Sequence, residues 1–179
     1  MLTLFLILLL IIIFFLLLLT LVGFFIYIFD AFLELPYVAT KKGKVATIIE
    51  LANIKPGETA IDLGSGDGRL LFATAQKGAK AIGYELNPLL VALTNLKAWF
   101  FHLRGEQVKV YRSDLWKADL KNADVIFVYA RQGTMKRMED FVYLNAKKGS
   151  RVVVNSDLTK PFPTKKPTKS KIGIYLYIV

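Results

Sequence analysis

The sequence predicts an α/β fold with a mostly parallel, doubly wound sheet of the Rossmann-like type, preceded by one apolar N-terminal helix. Three observations support this fold. Apolar strand-like segments alternate with helix-like segments between residues 59 and 155. The strand segments are almost continuously apolar, as strands covered on both faces are. A glycine-rich turn separates the first strand from the first crossover helix, as in the nucleotide-binding half of such sheets.

Residues 1–29 are predicted to form a transmembrane helix. No charged side chain occurs in residues 2–29, and about 20 apolar residues are enough to cross the hydrocarbon core. The basic start and small-residue cleavage site of a signal peptide are missing, which favours a retained span. Lys41, Lys42 and Lys44 follow the span and predict a single-pass protein whose C-terminal domain faces the cytoplasm. Residues 30–44 are expected to form a linker and pre-domain segment, and residues 45–179 the folded domain.

The elements of the folded part follow one another in a regular order. Residues 45–53 carry apolar side chains at helical spacing, and a Lys-Pro-Gly-Glu turn leads into the first strand. Asn87 and Pro88 supply a cap residue and a proline at the first helical position. We expect strands at residues 59–61, 79–85, 107–111, 124–129, 151–155 and 172–179, and crossover helices at residues 70–76, 88–103 and 134–144.

Two segments carry expectations about burial. The helix at residues 88–103 is expected to bury one apolar stripe, which consists of Leu89, Leu93, Leu96, Trp99, Phe100 and Leu103. Residues 160–171 are rich in proline, lysine and threonine and are expected to form an exposed loop. Sheets of this type usually end with two strands after the fifth. The short tail therefore predicts that one of these strands is missing or rudimentary.

The turn after the first strand reads Asp-Leu-Gly-Ser-Gly-Asp-Gly-Arg over residues 62–69. Dinucleotide-binding turns use G-x-G-x-x-G, whereas this turn has G-x-G-x-G with an acid, Asp62, in front. A negative charge there disfavours a diphosphate and favours a cationic ligand with an amino acid end and a ribose, such as S-adenosylmethionine. Gly64 and Gly66 permit a sharp turn and the close approach of a ligand, and Gly68 is expected to let the helix pack close to the strand. The alternative is an ordinary glycine turn.

Two further acids are predicted at the same edge of the sheet. Glu85 ends the second strand and can accept hydrogen bonds from ribose hydroxyls, while Asp114 follows the third strand and can accept the adenine amino group. Leu115 or Trp116 would then pack on the ring. Asp114 can equally cap a short helical turn, and the two roles are compatible. The candidate cofactor-binding residues are Asp62, Gly64, Ser65, Gly66, Gly68, Glu85, Asn87, Asp114 and Leu115.

Six motifs give the region from Pro36 to about Asn155 a family resemblance. They are Pro36-Tyr37-Val38, residues 61–69 (IDLGSGDGR), residues 83–88 (GYELNP), residues 90–93 (LVAL), Ala98-Trp99 and residues 114–117 (DLWK). With them the chain resembles the membrane-anchored class I methyltransferases, the family of the mitochondrial ATP synthase c-subunit lysine N-methyltransferase. The resemblance implies a class I methyltransferase fold, S-adenosyl-L-methionine as the cofactor, and protein-lysine methylation near a membrane.

Methyl transfer to an amine depends largely on positioning. The acceptor lysine, with an ordinary pKa of about 10.4, must be neutral when it reacts. The segment before the first strand and the loop after the fourth form the substrate side of such folds, so Tyr37 and Tyr129 are the candidate catalytic residues that orient the amine. Packing at an interface is the alternative for both. The fourth strand is not followed by Asn/Asp-Pro-Pro-aromatic, which argues against adenine or glutamine as the acceptor.

Composition and net charge limit the metal sites, nucleophiles and binding partners that the chain can have. The chain has no cysteine and one histidine, His102, so a thiolate or histidine metal site and a cysteine nucleophile are excluded, and no metal is expected. The net charge of +10 together with the span favours an anionic lipid surface over a nucleic acid as a partner. The leading prediction is methylation of a lysine in an integral membrane protein. The alternatives are methylation of RNA or a small molecule, and a non-catalytic membrane module that only binds the cofactor.

Overall fold

The computed structural model describes residues 2–32, 42–102, 107–129, 132–157 and 160–179. The chain divides into two compact units, residues 1–37 and residues 38–179. In the first unit, helix α1 (Leu2–Phe32) is almost entirely apolar, and nearly all its described side chains are exposed. Its segment Leu2–Ile28 has a mean hydropathy of 3.6. By length and composition this helix can cross a membrane, and a signal sequence shares these properties.

The second unit is a seven-stranded sheet with helices. The strands are β1 (Thr59–Leu63), β2 (Lys80–Glu85), β3 (Val108–Arg112), β4 (Val125–Tyr129), β5 (Arg151–Asn155), β6 (Lys169–Lys171) and β7 (Ile174–Ile178). The helices are α2 (Lys42–Ala52), α3 (Arg69–Ala75), α4 (Pro88–His102) and α5 (Met135–Asn145), with short 3₁₀ helices at Leu115–Lys117 and Gln132–Thr134. All the predicted strands and crossover helices are confirmed, with bounds that differ by one or two residues.

The strand order is β3-β2-β1-β4-β5-β7-β6. Strands β1 to β5 are parallel, and β7 runs antiparallel between β5 and β6. The order reverses beside β1, where Asp62 lies between Gly83 of β2 and Phe127 of β4. Ligands of doubly wound sheets bind at such a reversal, outside the carboxyl ends of the strands. The topology therefore places the glycine turn after β1 where a ligand is expected.

Helix α4 departs from the expected burial. Its inner face consists of the small or medium side chains Val91, Thr94 and Ala98, which are at most 8% exposed. The residues expected to form the buried stripe lie on the outside: Leu89, Leu93, Leu96, Trp99 and Phe100 are all exposed, and Leu103 lies outside the described residues. The predicted stripe is therefore wrong. Both faces of the helix are apolar, and the face with small side chains is the one that packs closely on the sheet.

The C-terminal tail is more ordered than a simple loop. Pro161 and Phe162 are buried, and the ring of Phe162 packs on Tyr177 of β7 with 4.7 Å between centroids. The carboxylate of the buried Glu139 on α5 accepts hydrogen bonds from the amide (3.2 Å) and the hydroxyl of Thr164. The prediction of an exposed loop over the whole of residues 160–171 is wrong, since residues 169–171 also form β6. The strand expected to be rudimentary is this three-residue β6.

Candidate cofactor site

The glycine turn joins β1 to α3 through three left-handed glycines. Gly64, Gly66 and Gly68 have φ values of +91°, +54° and +75°, which side chains other than glycine adopt rarely. A Cβ on Gly64 would have no heavy atom within 4 Å, so this side of the turn is open. A Cβ on Gly68 would lie 2.4 Å from Cγ2 of Thr94 on α4. Gly68 therefore allows close contact with α4, rather than with the strand as expected from the sequence.

Glu85 connects the glycine turn to the start of α4. Its Oε2 accepts a hydrogen bond from the Gly66 amide and its Oε1 accepts one from the Asn87 amide, both at 2.9 Å. The hydroxyl of Thr94 adds a hydrogen bond to the Gly66 carbonyl at 3.3 Å. A carboxylate has about four acceptor positions, so Glu85 keeps capacity for a ligand. This structural role was not predicted from the sequence, because it depends on two segments meeting in space.

Two buried polar groups at this edge lack a protein partner within the described structure. Asn87 is 2% exposed, and its Oδ1 caps α4 by accepting from the amides of Leu89 (3.0 Å) and Leu90 (3.3 Å), but its Nδ2 has no partner. The hydroxyl of Ser65, 5% exposed, has none either. Leaving a buried group unpaired costs about 1–3 kcal/mol, so such groups in native proteins need an explanation. A polar ligand at the turn would supply the missing partners.

Asp62 is the most strongly perturbed acid of the site. Burial, followed by the nearby carboxylates of Glu85 and Asp67, raises the pKa of Asp62 to about 7. Hydrogen bonds from Arg69, whose Nη2 lies 2.6 Å from Oδ2 of Asp67, hold the pKa of Asp67 below its usual range. A cation beside Asp62 would favour its ionised form. The electrostatics of the edge therefore favour a positively charged ligand.

Gly83 of β2 keeps space for the turn. A Cβ at this position would lie 2.5 Å from Oγ of Ser65 and 2.7 Å from Cδ1 of Leu71. Any side chain there would push the turn away from the sheet or displace α3. In the sequence, Gly83 stands out only as part of a motif. Its packing role could not be assigned, because its neighbours are more than ten residues away along the chain.

Asp114 takes the capping role that the sequence left open. Its Oδ1 accepts a hydrogen bond from the Trp116 amide at 3.1 Å, which caps the short helix Leu115–Lys117. Leu115 is 5% exposed and belongs to the core. The Trp116 ring packs against Phe141 and has the Arg137 guanidinium 4.0 Å from its centroid. Because a cap uses few acceptor positions of a carboxylate, a ligand contact of Asp114 stays compatible with this geometry.

The expected substrate side is described only in part. Tyr129 ends β4, is half-buried and pairs in register with Asn155 of β5. Tyr37 lies outside the described residues, so the role of the two tyrosines in orienting the amine stays a prediction. Nearby, Nζ of Lys44 donates to Oδ1 of Asn155 (3.2 Å) and to Oδ1 of Asp157 (3.1 Å). Lys44 therefore contributes to the domain structure and is less available to a membrane surface than its position in the sequence suggests.

Within the ranges that the structure describes, no group of three or more histidine, aspartate or glutamate residues is placed to hold a metal ion. His102, at the end of α4, has Nε2 3.0 Å from the carbonyl oxygen of Val108.

Comparison with known proteins decides the family. Residues 62–168, more than half of the chain, match the model of the ANTKMT methyltransferase domain. The chain belongs to this family. The matched segment begins at Asp62 and contains all the candidate cofactor-binding residues, from Asp62 in the glycine turn to Leu115, which together are called the cradle below.

Curated relatives support the family assignment. The chain is 37% identical over 136 residues to the adenine nucleotide translocase lysine N-methyltransferase of Mus musculus, covering 75% of this chain and 57% of that protein. It is 33% identical over 129 residues to the ATP synthase c-subunit lysine N-methyltransferase of the same species, covering 72% and 50%. The chain thus spans about half the length of these relatives. A protein-lysine N-methyltransferase of Saccharolobus islandicus is 26% identical over 155 residues and is 94% covered.

Solved structures establish the fold as that of a class I, Rossmann-like methyltransferase. An RNA methyltransferase from Salinibacter ruber in complex with S-adenosyl-L-homocysteine has a TM-score of 0.71 and 26% identity, covering 79% of this chain and 93% of that one. A SAM-dependent methyltransferase from Thiobacillus denitrificans has a TM-score of 0.56 and 22% identity, covering 64% and 48%. The second likeness shows the fold alone.

The cradle of this family member fits S-adenosylmethionine. The ligand is cationic, which suits the buried carboxyl group of Asp62, and it carries hydroxyl groups that can donate to Glu85. The unpaired Ser65 hydroxyl and the unpaired side-chain Nδ2 of Asn87 offer further hydrogen bonds. A dinucleotide fits less well, because its diphosphate would face the three acids Asp62, Asp67 and Glu85.

Proposed function

We propose that this chain is a membrane-tethered, S-adenosylmethionine-dependent protein-lysine N-methyltransferase whose acceptor is a lysine of an integral membrane protein. The observation that carries the proposal is the cradle at the sheet reversal, where Glu85 fastens the glycine turn beside the buried Asp62. The family relationship supports lysine as the acceptor, since the mouse and Saccharolobus relatives are named lysine N-methyltransferases.

Each candidate residue has a distinct task in this proposal. Glu85 accepts from the ribose hydroxyls with the acceptor positions that the Gly66 and Asn87 amides leave free. Asp62 offers negative charge to the cationic ligand, and Gly64 and Gly66 leave the backbone open to it. Asp114 accepts from the adenine amino group while capping its own turn, and Leu115 supports the ring from the core. Ser65 and Asn87 use their unpaired polar groups on the ligand, and Gly68 keeps α4 close to the turn.

Methyl transfer from this cofactor needs little acid–base catalysis by the protein. When bound, the cofactor supplies an already activated sulfonium methyl group. The chain's task is to hold a neutral amine in line with that group, and positioning of this kind contributes much of the rate of bimolecular reactions. Tyr129, half-buried at the end of β4, and Tyr37 are proposed to orient the amine. A partly buried environment disfavours the charged ammonium, which lowers the cost of removing its proton.

The tether is proposed to restrict the enzyme to membrane-bound substrates. Helix α1 has the length and apolarity of a span, and Lys41 and Lys42 on its C-terminal side favour a cytoplasmic catalytic domain. Tethering raises the local concentration of other membrane proteins without any new contact. Protease treatment of sealed vesicles that carry the full chain tests the orientation: a domain on the cytoplasmic side is digested only when that side is exposed.

The function is tested by supplying methyl-labelled cofactor to membranes that contain the full chain. Label in protein, lost in the Gly66→Val variant and recovered as methyl-lysine on hydrolysis, is the expected result. A second candidate, methylation of RNA, is favoured by the likeness to the Salinibacter ruber enzyme and by the lysines of residues 160–171. Label in RNA would support that candidate. Cofactor binding without label in protein, RNA or small molecules would indicate a non-catalytic binding module.

A further inference from the structure

Helix α4 presents a second apolar face that the fold leaves uncovered. At 3.6 residues per turn, Leu89, Leu93, Leu96 and Phe100 fall on one narrow stripe and Trp99 lies beside it. The packed residues Val91, Thr94 and Ala98 are on the opposite side of the helix. The outer side chains are strongly exposed: Leu93 by 54%, Leu96 by 60%, Trp99 by 58% and Phe100 by 55%.

This concentration of exposed apolar side chains distinguishes α4 from the rest of the second unit. The other large apolar side chains that are exposed in its described part are Tyr111, Leu144, Ile172 and Ile178, and they belong to four different segments. Single exposed apolar residues are ordinary, whereas a contiguous apolar face indicates an interaction site. The α4 face is therefore the strongest candidate for a contact surface in the described part of this unit.

The charges around the face match an anionic surface. The described residues 86–102, which include all of α4, contain the exposed Lys97 and no aspartate or glutamate, and the exposed Arg112 ends the neighbouring strand β3. A helix with a broad apolar face, a tryptophan and flanking basic residues is typical of segments that lie in the headgroup region of a bilayer. Each basic residue near an anionic membrane adds a favourable electrostatic attraction to the surface.

A bilayer is also within reach of the domain if the proposed tether holds. Residues 33–41 connect α1 to α2, and a connection of this length spans at most about 30 Å when fully extended. Because the tether would keep the bilayer at a high effective concentration near the domain, the α4 face could bind it even with a modest intrinsic affinity for lipid.

We propose that the outer face of α4 lies in the interfacial region of an anionic lipid bilayer and orients the cofactor site toward it. The proposal rests on the membrane tether of the proposed function and adds a second attachment. The orientation of α4 also sets that of the cradle, because the two are joined by hydrogen bonds. The side chain of Asn87 caps α4, and its backbone N–H donates to Glu85, which also accepts from the Gly66 amide. Docking of α4 fixes the cradle relative to the membrane, so that lysines of embedded proteins near the surface are favoured as acceptors.

The first test uses Trp99 as a reporter in the full chain, reconstituted into vesicles of equal parts phosphatidylcholine and phosphatidylglycerol. The chain has two tryptophans, so Trp116→Phe leaves only Trp99. Trp99 is expected to emit at shorter wavelength than in water and to be quenched by brominated lipid, with weaker quenching in phosphatidylcholine alone. The matched control, Trp99→Phe, leaves Trp116, which packs on Phe141 and Arg137 and should not be quenched.

Other outcomes of the same test overturn the proposal. Emission of Trp99 at short wavelength without quenching by brominated lipid would mean that protein, either α1 or a second copy, covers the face. Dependence of the emission on the protein-to-lipid ratio would identify the second copy. Emission typical of water would mean that nothing covers it. Because this readout needs no turnover, it stays valid even if the chain proves not to methylate protein.

The second test asks whether docking matters for substrate use. The triple variant Leu93→Gln, Leu96→Gln, Phe100→Gln is compared with Leu144→Gln, which changes an 85%-exposed leucine on α5. In vesicles of the same composition, the triple variant should methylate an embedded acceptor roughly tenfold more slowly and bind S-adenosylhomocysteine as well as the control does. Equal rates of the two variants would contradict an orienting role. If the triple variant fails to bind the cofactor product, its fold is damaged and the Trp99 quenching decides the proposal.

Discussion

Glu85 is the residue on which most of the site depends. Its carboxylate holds the glycine turn at Gly66 and the start of α4 at Asn87, and the proposed function adds the ribose hydroxyls to these partners. A residue with both structural and ligand contacts should tolerate almost no substitution. Asp114 differs, because its observed contact is a single capping hydrogen bond.

Replacement of these two acids by their amides should separate their roles. Glu85→Gln places an NH2 group opposite a backbone amide, so we expect S-adenosylhomocysteine to bind about 1–3 kcal/mol more weakly, the cost of a lost hydrogen bond to a charged group. Asp114→Asn keeps a good cap and should lower affinity less. Isothermal titration calorimetry measures both. NAD should not compete, and tight NAD binding would contradict the cofactor assignment.

Asp62 should make ligand binding depend on pH. With its pKa raised to about 7, part of the Asp62 population is protonated near neutral pH, and a bound cation favours the ionised form. The affinity for cationic S-adenosylmethionine should therefore rise with pH up to about 7 and level off above it, while the affinity for neutral-sulfur S-adenosylhomocysteine changes less. Titrations of both ligands across this range check the difference. In Asp62→Asn the pH dependence should disappear; a slope that persists would assign it to another group.

The same pKa shift predicts an effect on stability without ligand. Between the ordinary value of 3.8 and about 7, the folded protein keeps a proton that the unfolded chain releases. The stabilisation that this proton provides is fully present below about pH 3.8 and is lost as the pH rises to about 7. Urea unfolding at several pH values should show a decline in wild-type stability over this window that is absent in Asp62→Asn, because asparagine cannot ionise. An unchanged pH profile in the variant would argue against a buried, protonated Asp62.

At the scale of elements, close packing around the turn is set by glycines. Gly83 gives Ser65 and Leu71 the space that a side chain would occupy, and Gly68 does the same for Thr94 of α4. The turn is thus held between β2, α3 and α4, and its position relative to the sheet depends on these contacts.

Gly83→Ala is expected to displace the turn. Its Cβ would lie 2.5 Å from Oγ of Ser65, so overpacking should destabilise the fold by about 1–3 kcal/mol and weaken cofactor binding. Gly43→Ala, in α2, is the matched control, because a Cβ there meets nothing within 4 Å and alanine favours a helix. Thermal unfolding and titration of both variants measure the effects. Equal behaviour of the two would mean that the turn can move without cost.

At the scale of the whole molecule, an apolar helix and a cofactor-binding unit share one chain. All the candidate cofactor-binding residues lie within residues 62–115 of the second unit, so we expect cofactor binding to be independent of α1. Under the proposed function, the first unit decides which substrates are met and the second performs the reaction. The two tasks should therefore be separable by mutation.

Deletion of residues 2–29 should preserve cofactor binding and reduce methylation of embedded acceptors. Without the tether the effective concentration of embedded acceptors falls, so we expect their rate of methylation to decrease by about one to two orders of magnitude. Replacing α1 by an unrelated apolar span should restore the rate, which distinguishes tethering from a specific contact of α1. If the truncated chain labels membrane proteins as fast as the full chain, the helix has another purpose.

The sequence by itself determined the order of elements and predicted the position of the candidate cradle, because both depend on local patterns. Apolar runs, the Asn87-Pro88 helix start and the glycine turn act within a few residues, and the acids Asp62, Glu85 and Asp114 follow from their places at strand ends. Only the tertiary structure decided which apolar face of α4 is buried, that Phe162 packs into the core, and that Glu85 fastens Gly66 and Asn87. These features join segments far apart along the chain, and a helix with two apolar faces gives no local signal of which one meets the sheet.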